Sequence, residues 1–245
     1  TIMGQASNQY VTPTDITDVF STYLYDGDST SPSAKVNGID LAGKGGMVWL
    51  KSRTGAYNHY VADTEKPLGS GGGATWLYTN TTDAVLGSTS STGLMTFNSN
   101  GFSTGPTGVG VNGSGQDYAS WTFRKAPKFF DVVTYTGTGV IRTVNHSLGS
   151  VPGMVIVKRT DTTGSWRVYH RGSNATAPEN YYLTLNATDQ AGTGGGVIWN
   201  DTAPTDSVFT VGANNSVNAS GGTYVAYIYA HNNSDGEFGP DGDQD

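Results

Sequence analysis

A six-residue stretch that occurs twice in nearly the same form decides the fold: Gly-Met-Val-Trp-Leu-Lys at residues 46–51 and Gly-Met-Val-Ile-Val-Lys at residues 153–158. The two methionines, Met47 and Met154, are 107 positions apart. A second pair of similar stretches, residues 111–121 and 217–227, keeps an offset of 106. Two separated motifs that hold one offset to within a residue favour duplication over chance. The sequence therefore predicts two copies of one small domain.

The segments around these motifs predict strands. They are short, rich in Val, Ile, Tyr, Phe, Trp and Thr, alternate with period two, and are bounded by Gly, Asn, Asp, Ser and Pro. Helix is predicted only as one turn near residues 13–19. The predicted strands are 20–25, 47–51, 74–78, 94–97, 117–123, 130–135, 154–158, 166–170, 181–185, 207–211 and 223–230. This pattern indicates an all-β protein made of two tandem β-sandwich domains of the jelly-roll type.

The repeat sets the predicted domain limits. Residues 1–17 form an N-terminal leader or linker, residues 18–127 the first repeat, residues 128–233 the second repeat, and residues 234–245 an acidic tail or linker. Only a short join separates the repeats, which favours a stiff tandem over independent domains.

Comparison of the copies predicts which face of the last strand is buried. Val225, Tyr227 and Tyr229 correspond to Ala119, Trp121 and Phe123, and this face is apolar in both copies. The opposite face of the second copy is apolar and consists of alternate residues from Tyr224 to Ala230. In the first copy the matching face has polar residues such as Ser120 and Thr122. We therefore expect the first face to be the core face in both copies.

Composition excludes several classes of function. The net charge of −7, with scattered Lys and Arg, argues against nucleic acid as a partner. No apolar run approaches the roughly 20 residues of a membrane span, so membrane insertion is not expected. The chain has no cysteine, which removes disulfides and thiolate metal sites. Only 13% of residues are charged, and the Gly, Ser, Thr and Asn that replace them suit the surface of an extracellular particle.

No catalytic pattern stands out, and we predict that the protein is not an enzyme. A glycosidase needs two carboxylates that flank one bond, and the best local pair is Asp63 with Glu65, for which a solvated loop is the plainer interpretation. There is no Gly-x-Ser-x-Gly nucleophile elbow. Carboxylates that meet from distant strands stay open as an alternative.

Three residues are candidates for ligand binding. Trp166 and Tyr57 are aromatic side chains that would stack on sugar rings, and His170 follows an aromatic run that resembles the run before His59. The two histidines are therefore expected to hold equivalent positions. Lys51 and Lys158 also match, and we interpret them as strand-end lysines that snorkel or protect an edge.

The C-terminal tail offers the only candidate metal ligands. Asp241, Asp243 and Asp245 alternate like the start of an oxygen-ligand loop, which would suit calcium, but the closing glutamate of such a loop is missing. A solvated linker is the plainer interpretation, and no other cofactor is predicted.

Four stretches of the first copy, residues 16–27, 45–53, 98–102 and 118–126, resemble a module of tailed marine bacteriophages. Residues 148–159 and 223–232 of the second copy fit it equally well, so the resemblance covers nearly the whole chain from Ile16. In those phages the module recurs in tandem in tail-fibre-like and other virion appendage proteins and is similar to lectin or laminin-G sandwiches. The resemblance carries no catalytic residues.

The resemblance implies a structural protein on the virion surface, a tail fibre or appendage that displays lectin-like domains for host attachment. It implies other virion proteins as partners, a homo-oligomer with a trimer favoured, and a host-surface glycan as ligand. Two alternatives are a stand-alone carbohydrate-binding module and a polysaccharide depolymerase. Since the copies share strands and turns but not candidate binding residues, recognition is expected in one copy or between chains.

Overall fold

The computed structural model describes residues 15–69, 72–87, 95–105 and 110–232. Within these residues the protein is all-β, as the sequence predicts. The strands of the first half are β1 Phe20–Asp26, β2 Ser33–Val36, β3 Gly46–Ser52, β4 Tyr60–Asp63, β5 Trp76–Tyr78, β6 Met95–Asn98, β7 Gly101–Thr104 and β8 Asp117–Arg124. Those of the second half are β9 Phe130–Thr136, β10 Arg142–Asn145, β11 Met154–Arg159, β12 Arg167–His170, β13 Leu183–Thr184, β14 Val208–Val211 and β15 Thr223–Tyr229.

The helices are single turns. They are α1 Ile16–Val19, α2 Leu41–Lys44, α3 Gly195–Ile198 and α4 Asn215–Asn218, with a 3-10 turn at Pro178–Asn180. Only α1 falls where the sequence predicts helix. The other turns escape prediction because a four-residue helix is too short to show helical periodicity.

The two halves have the same strand order. A five-stranded sheet runs β1-β8-β3-β4-β5 in the first half and β9-β15-β11-β12-β13 in the second, and every pair is antiparallel. A smaller sheet, β2-β7-β6 or β10-β14, covers one face of each. Each half is thus a β-sandwich. This order is what a duplication would produce, while the duplication itself and the domain limits stay predictions.

The repeated glycine of the opening motif is required by crowding. Gly46 has φ +152°, and a Cβ there would lie 2.1 Å from the carbonyl oxygen of Phe123. At the matching Gly153, a Cβ would lie 2.6 Å from the Cβ of His231. Both sites stand where β3 or β11 enters the middle of its sheet. A side chain at either position would push this strand from its neighbour.

Matching tyrosine pairs anchor the two sandwiches. Tyr25 stacks on Tyr118 with ring centroids 5.0 Å apart, and Tyr135 stacks on Tyr224 at the same distance. The hydroxyls of Tyr25 and Tyr135 donate to the carbonyl oxygens of Val111 and Val217, at 2.6 and 2.7 Å. Each pair therefore ties the long antiparallel β1–β8 or β9–β15 contact to the loop that precedes the last strand.

The described residues form three hydrophobic cores. One outer core lies inside each sandwich, and a central core lies between the two five-stranded sheets. The central core contains Met47, Val61 and Leu77 of the first half together with Ile156 and Tyr227 of the second. The halves are therefore joined through buried side chains as well as through the chain.

The prediction that only one face of the last strand is a core face was wrong. Val225 and Tyr227 do pack in the central core, but Tyr224, Ala226 and Ile228 pack in the outer core of the second half. In the first half, Ser120 and Thr122 are also fully buried. Their hydroxyls are satisfied, since Ser120 Oγ donates to the Tyr23 carbonyl and Thr122 Oγ1 accepts from Asn37 Nδ2. Both faces of these strands contribute to a core because each large sheet is covered on both sides, while Trp121 and Phe123 of β8 stay half-buried.

Candidate ligand-binding cleft between the halves

One side of the central core is closed by a buried cluster of Asp63, Lys66 and Tyr227. Asp63 Oδ2 accepts a hydrogen bond from the Tyr227 hydroxyl at 2.6 Å and pairs with Lys66 Nζ. Asp63 Oδ1 accepts from the backbone N–H groups of Glu65 and Lys66. Burial, together with the Asp63 charge, raises the pKa of Tyr227 well above its usual value, so its hydroxyl stays protonated and donates. The cluster links the halves.

Trp166 lies in this closed side. Its side chain is 1% exposed, and its Nε1 donates to the carbonyl oxygens of Tyr78 and Thr81 at 3.1 and 3.2 Å. Its ring stacks near Tyr227, with centroids 6.3 Å apart. The prediction that Trp166 offers a stacking surface to sugar was therefore wrong, because the ring is buried between the two halves.

Strand register shows which residues occupy matching positions. Met47 lies opposite Asp63 in the β3–β4 pair, and Met154 lies opposite His170 in the β11–β12 pair. Asp63 therefore matches His170, and His59, four positions earlier, matches Trp166. The expectation that His59 and His170 are equivalent was wrong by this register.

The same comparison applies to the last strands. Phe123 lies opposite Met47, and Tyr229 lies opposite Met154, so Phe123 matches Tyr229 and Trp121 matches Tyr227. The rings of Phe123 and Tyr229 touch, with centroids 5.4 Å apart. Contact between matched residues is the mark of a two-fold-like interface. Each feature on one side of the central core thus has a corresponding place on the other side.

The side of the central core that is opposite the closed side is open. It holds a cleft of about 390 Å³, which we call the aromatic cleft. The cleft is lined by Trp49, Lys51, His59, Trp121, Phe123, Met154 and Tyr229. His59 stands where Trp166 stands on the closed side, and Trp121 stands where Tyr227 binds Asp63. The His59 side chain is smaller than that of tryptophan, so on the open side it does not fill the volume that Trp166 fills on the closed side.

Two tryptophans form one wall of the aromatic cleft. Trp49 of β3 and Trp121 of β8 are register partners, so their side chains stand side by side on the same face of the sheet. Both are half-buried. Their matched residues, Ile156 and Tyr227, are buried in the central core. Only the first half therefore presents a pair of indole rings with accessible surface at this face.

Two polar side chains stand at the edge of the aromatic cleft. Lys51 Nζ donates to the carbonyl oxygens of Ser52 and Gly55 at 2.7 and 3.2 Å. Burial, and then the Lys51 charge, lowers the pKa of His59. The imidazole is therefore neutral at pH 7 and can both donate and accept a hydrogen bond. An apolar floor with a few polar groups at its edge is the usual composition of a small-molecule site.

The other predicted candidates lie outside the aromatic cleft. Tyr57 is half-exposed in the loop between β3 and β4, and its ring lies over Gly55. His170 is exposed at the end of β12, where its Nδ1 accepts from the backbone of Gly172. Asp241, Asp243 and Asp245 lie outside the described residues. The structure therefore does not bring the predicted candidates together.

The best local carboxylate pair is also unavailable for acid–base chemistry. Asp63 is 1% exposed and held in the buried cluster, while Glu65 forms an ion pair with Lys125 at 3.0 Å. None of the seven described residues that line the aromatic cleft carries a carboxylate. These lining residues supply stacking and hydrogen bonding, and they do not supply the two carboxyl groups of a glycosidase.

Sequence reasoning missed Trp49, Trp121 and His59 as site residues. The available signal was a difference between matched positions: Trp49 replaces Ile156 in the repeated motif, and Trp121 replaces Tyr227. Such differences are visible in the sequence, but they indicate a site only when the two faces are known to meet.

In the part of the chain that the structure describes, no three His, Asp or Glu side chains are grouped as metal ligands would be. Among the same residues, no helix has the length and apolar character that crossing a membrane requires.

Comparison with curated proteins and with solved structures finds no significant match. One family model matches residues 15–240. The match runs through both halves as one unit, so it includes both walls of the aromatic cleft. The chain belongs to the family described as Domain of unknown function (DUF7483).

Proposed function

We propose that this chain is a non-catalytic, glycan-binding module of a tailed-bacteriophage virion appendage, where it displays its sandwiches for host attachment. The observation that carries the proposal is the aromatic cleft. Trp49 and Trp121 offer adjacent flat apolar surfaces, on which the C–H face of a sugar ring can stack, and Lys51 and His59 offer hydrogen bonds to its hydroxyls. The virion location rests on the motifs that resemble phage appendage modules.

The rigidity of the cleft supports binding. Its walls come from central strands of both sheets, β3 and β8 in the first half and β11 and β15 in the second. The buried Asp63–Lys66–Tyr227 cluster holds these sheets together on the opposite side. A site on packed strands loses little conformational entropy when a ligand binds.

Titration with bacterial capsular polysaccharides and lipopolysaccharide O-chains tests the proposal, with calorimetry and tryptophan fluorescence as readouts. Trp121→Ala should weaken binding at least about tenfold, because an aromatic contact at the cleft wall is lost. Trp76→Phe is the matched control, since Trp76 packs against the outer core of the first half and should leave binding unchanged.

A second variant separates blocked binding from misfolding. His59→Trp places at the cleft the residue that fills the matching volume on the closed side. It should abolish binding while the melting temperature stays at or above that of the natural protein. Binding that survives both Trp121→Ala and His59→Trp would place the site elsewhere.

A stand-alone carbohydrate-binding module is the second candidate, and one observation favours it: both walls of the aromatic cleft come from one chain. Such a module needs no oligomer. A solution mass of three 25.7-kDa chains would support the fibre proposal, and a monomer would favour the stand-alone module. Imaging of an intact virion with a label on this chain would decide between them.

A further inference from the structure

The charge around the aromatic cleft differs from the charge of the chain. The protein has a net charge of −7, yet the residues that line the cleft include the cation Lys51 and no carboxylate, with His59 and Tyr229 as the other ionisable side chains. Lys51 pairs with no carboxylate among the described residues. Its ammonium group uses two of its three N–H groups on backbone carbonyl oxygens. The third remains for a ligand.

The opposite wall also has nitrogen-bearing side chains beside it. His170 is the register partner of Met154, which lines the cleft, so their side chains share one face of the sheet. Burial, and then the charge of Arg171, lowers the pKa of His231. His231 lies against Gly153, because a Cβ at Gly153 would come 2.6 Å from the His231 Cβ, and Arg171 donates its backbone N–H to the Gly153 carbonyl oxygen at 2.9 Å. Hydrogen-bond donors therefore lie beside the cleft in both halves.

We infer that the aromatic cleft binds an acidic sugar, one whose ring stacks on Trp49 and Trp121 and whose carboxylate or sulfate pairs with Lys51. This inference rests on the proposed glycan-binding function and adds the chemical class of the ligand. A neutral sugar would leave the Lys51 ammonium group without an anionic partner in a partly desolvated site. An anionic substituent forms a charge-assisted hydrogen bond there, which is roughly twice as strong as a neutral one.

Two matched pairs of probes test the inference: oligogalacturonate with its carboxyl-reduced product, and dextran sulfate with dextran. We expect the acidic member of at least one pair to bind about tenfold or more tightly than its neutral partner. Its affinity should fall between 10 and 150 mM NaCl, about the range over which surface charge is screened, whereas neutral binding should not. The two pairs also distinguish a carboxylate from a sulfate.

Lys51→Met should remove most of this preference while the protein stays folded, because the methionine keeps the length of the apolar stem. Lys44→Met is the matched control, since Lys44 is an exposed lysine outside the cleft and its loss changes the net charge equally. Preference that falls in the Lys51 variant alone supports the inference.

The inference is overturned if the neutral probes bind as tightly as the acidic ones, or if the preference for acidic probes survives Lys51→Met. In either case, binding that depends on Trp121 still supports the proposed glycan-binding function. A further outcome is that the four probes all fail to bind while a capsular polysaccharide binds. In that case, binding of a neutral polysaccharide overturns the inference. Binding of an acidic polysaccharide that is lost in Lys51→Met supports the inference. If no glycan binds, the proposed function fails together with the inference.

Discussion

Tyr227→Phe tests whether the two halves are joined as the structure describes. The substitution removes one hydroxyl, which crosses from β15 to the buried Asp63 carboxylate at 2.6 Å. A hydrogen bond to a charged partner contributes about 1.5–3 kcal/mol. Asp63 keeps Lys66 and two backbone N–H groups. We therefore expect the free energy of unfolding to fall by about 2 kcal/mol, in the lower half of that range.

The size of the thermal shift depends on whether the halves unfold together. If all 245 residues unfold as one unit, about 2 kcal/mol lowers the melting temperature by about 4 °C. If the halves unfolded in separate transitions, the loss would lower only the first of these transitions, by about 9 °C. Because the central core contains residues of both halves, we expect one transition and the smaller shift.

Urea unfolding followed by circular dichroism measures the free energy, and hydrogen exchange of β3 and β11 reports on each half separately. Tyr229→Phe is the matched control: it removes a hydroxyl from the same strand, and the partner of that hydroxyl is the Met47 sulfur at 3.8 Å. If Tyr227→Phe costs no more than Tyr229→Phe, or if only β11 loses protection, the shared buried cluster does not exist as described.

Three further predictions concern buried polar groups and the closed side. Asn112→Ala and Asn218→Ala should each cost about 2–4 kcal/mol in urea unfolding, because both amides are fully buried and form hydrogen bonds with the backbone of loops distant in sequence. Burial lowers the pKa of Lys158 from 10.5 to about 8, so the unfolded chain holds more protons above that pH. The free energy of unfolding should then rise on the order of 1 kcal/mol between pH 8 and about 9.5, and the rise should disappear in Lys158→Met but not in Lys44→Met. Trp166→Ala should lower the free energy of unfolding by about 3–5 kcal/mol, since it empties a packed site, and a loss below about 1 kcal/mol would show that the ring is not buried.

The fold was predictable from the sequence where strands have a clear apolar pattern. The prediction failed where polar residues are buried. The strands of the repeated motif, β3 and β11, were predicted to within a residue or two because their apolar runs are long. The short strands β2 and β7 were missed. β2 carries Lys35, which is buried through hydrogen bonds to Ser33 and Asn112, and a lysine does not indicate a buried strand position.

The error about the last strand has the same cause. A polar residue at a matched position favours an exposed face in a sequence comparison, but Ser120 and Thr122 are buried with their hydrogen bonds satisfied. Small hydroxyl side chains can occupy a buried sheet face at little cost when a backbone carbonyl or side-chain amide is within reach. Sequence comparison of two copies therefore cannot distinguish a solvent face from a polar patch of core.

The candidate site was not predictable for a further reason, which concerns how two halves of the same strand order meet. A two-fold-like interface between identical sheets would have two clefts or none, so a single cleft requires differences at matched positions. Those differences are His59 in place of Trp166, His170 in place of Asp63, and Trp121 in place of Tyr227. Similar local runs suggested the match of His59 with His170, and only the strand pairing corrects it. The repeated residues form the sandwiches, and the unrepeated ones decide that one side of the central core is closed and the other is open to a ligand.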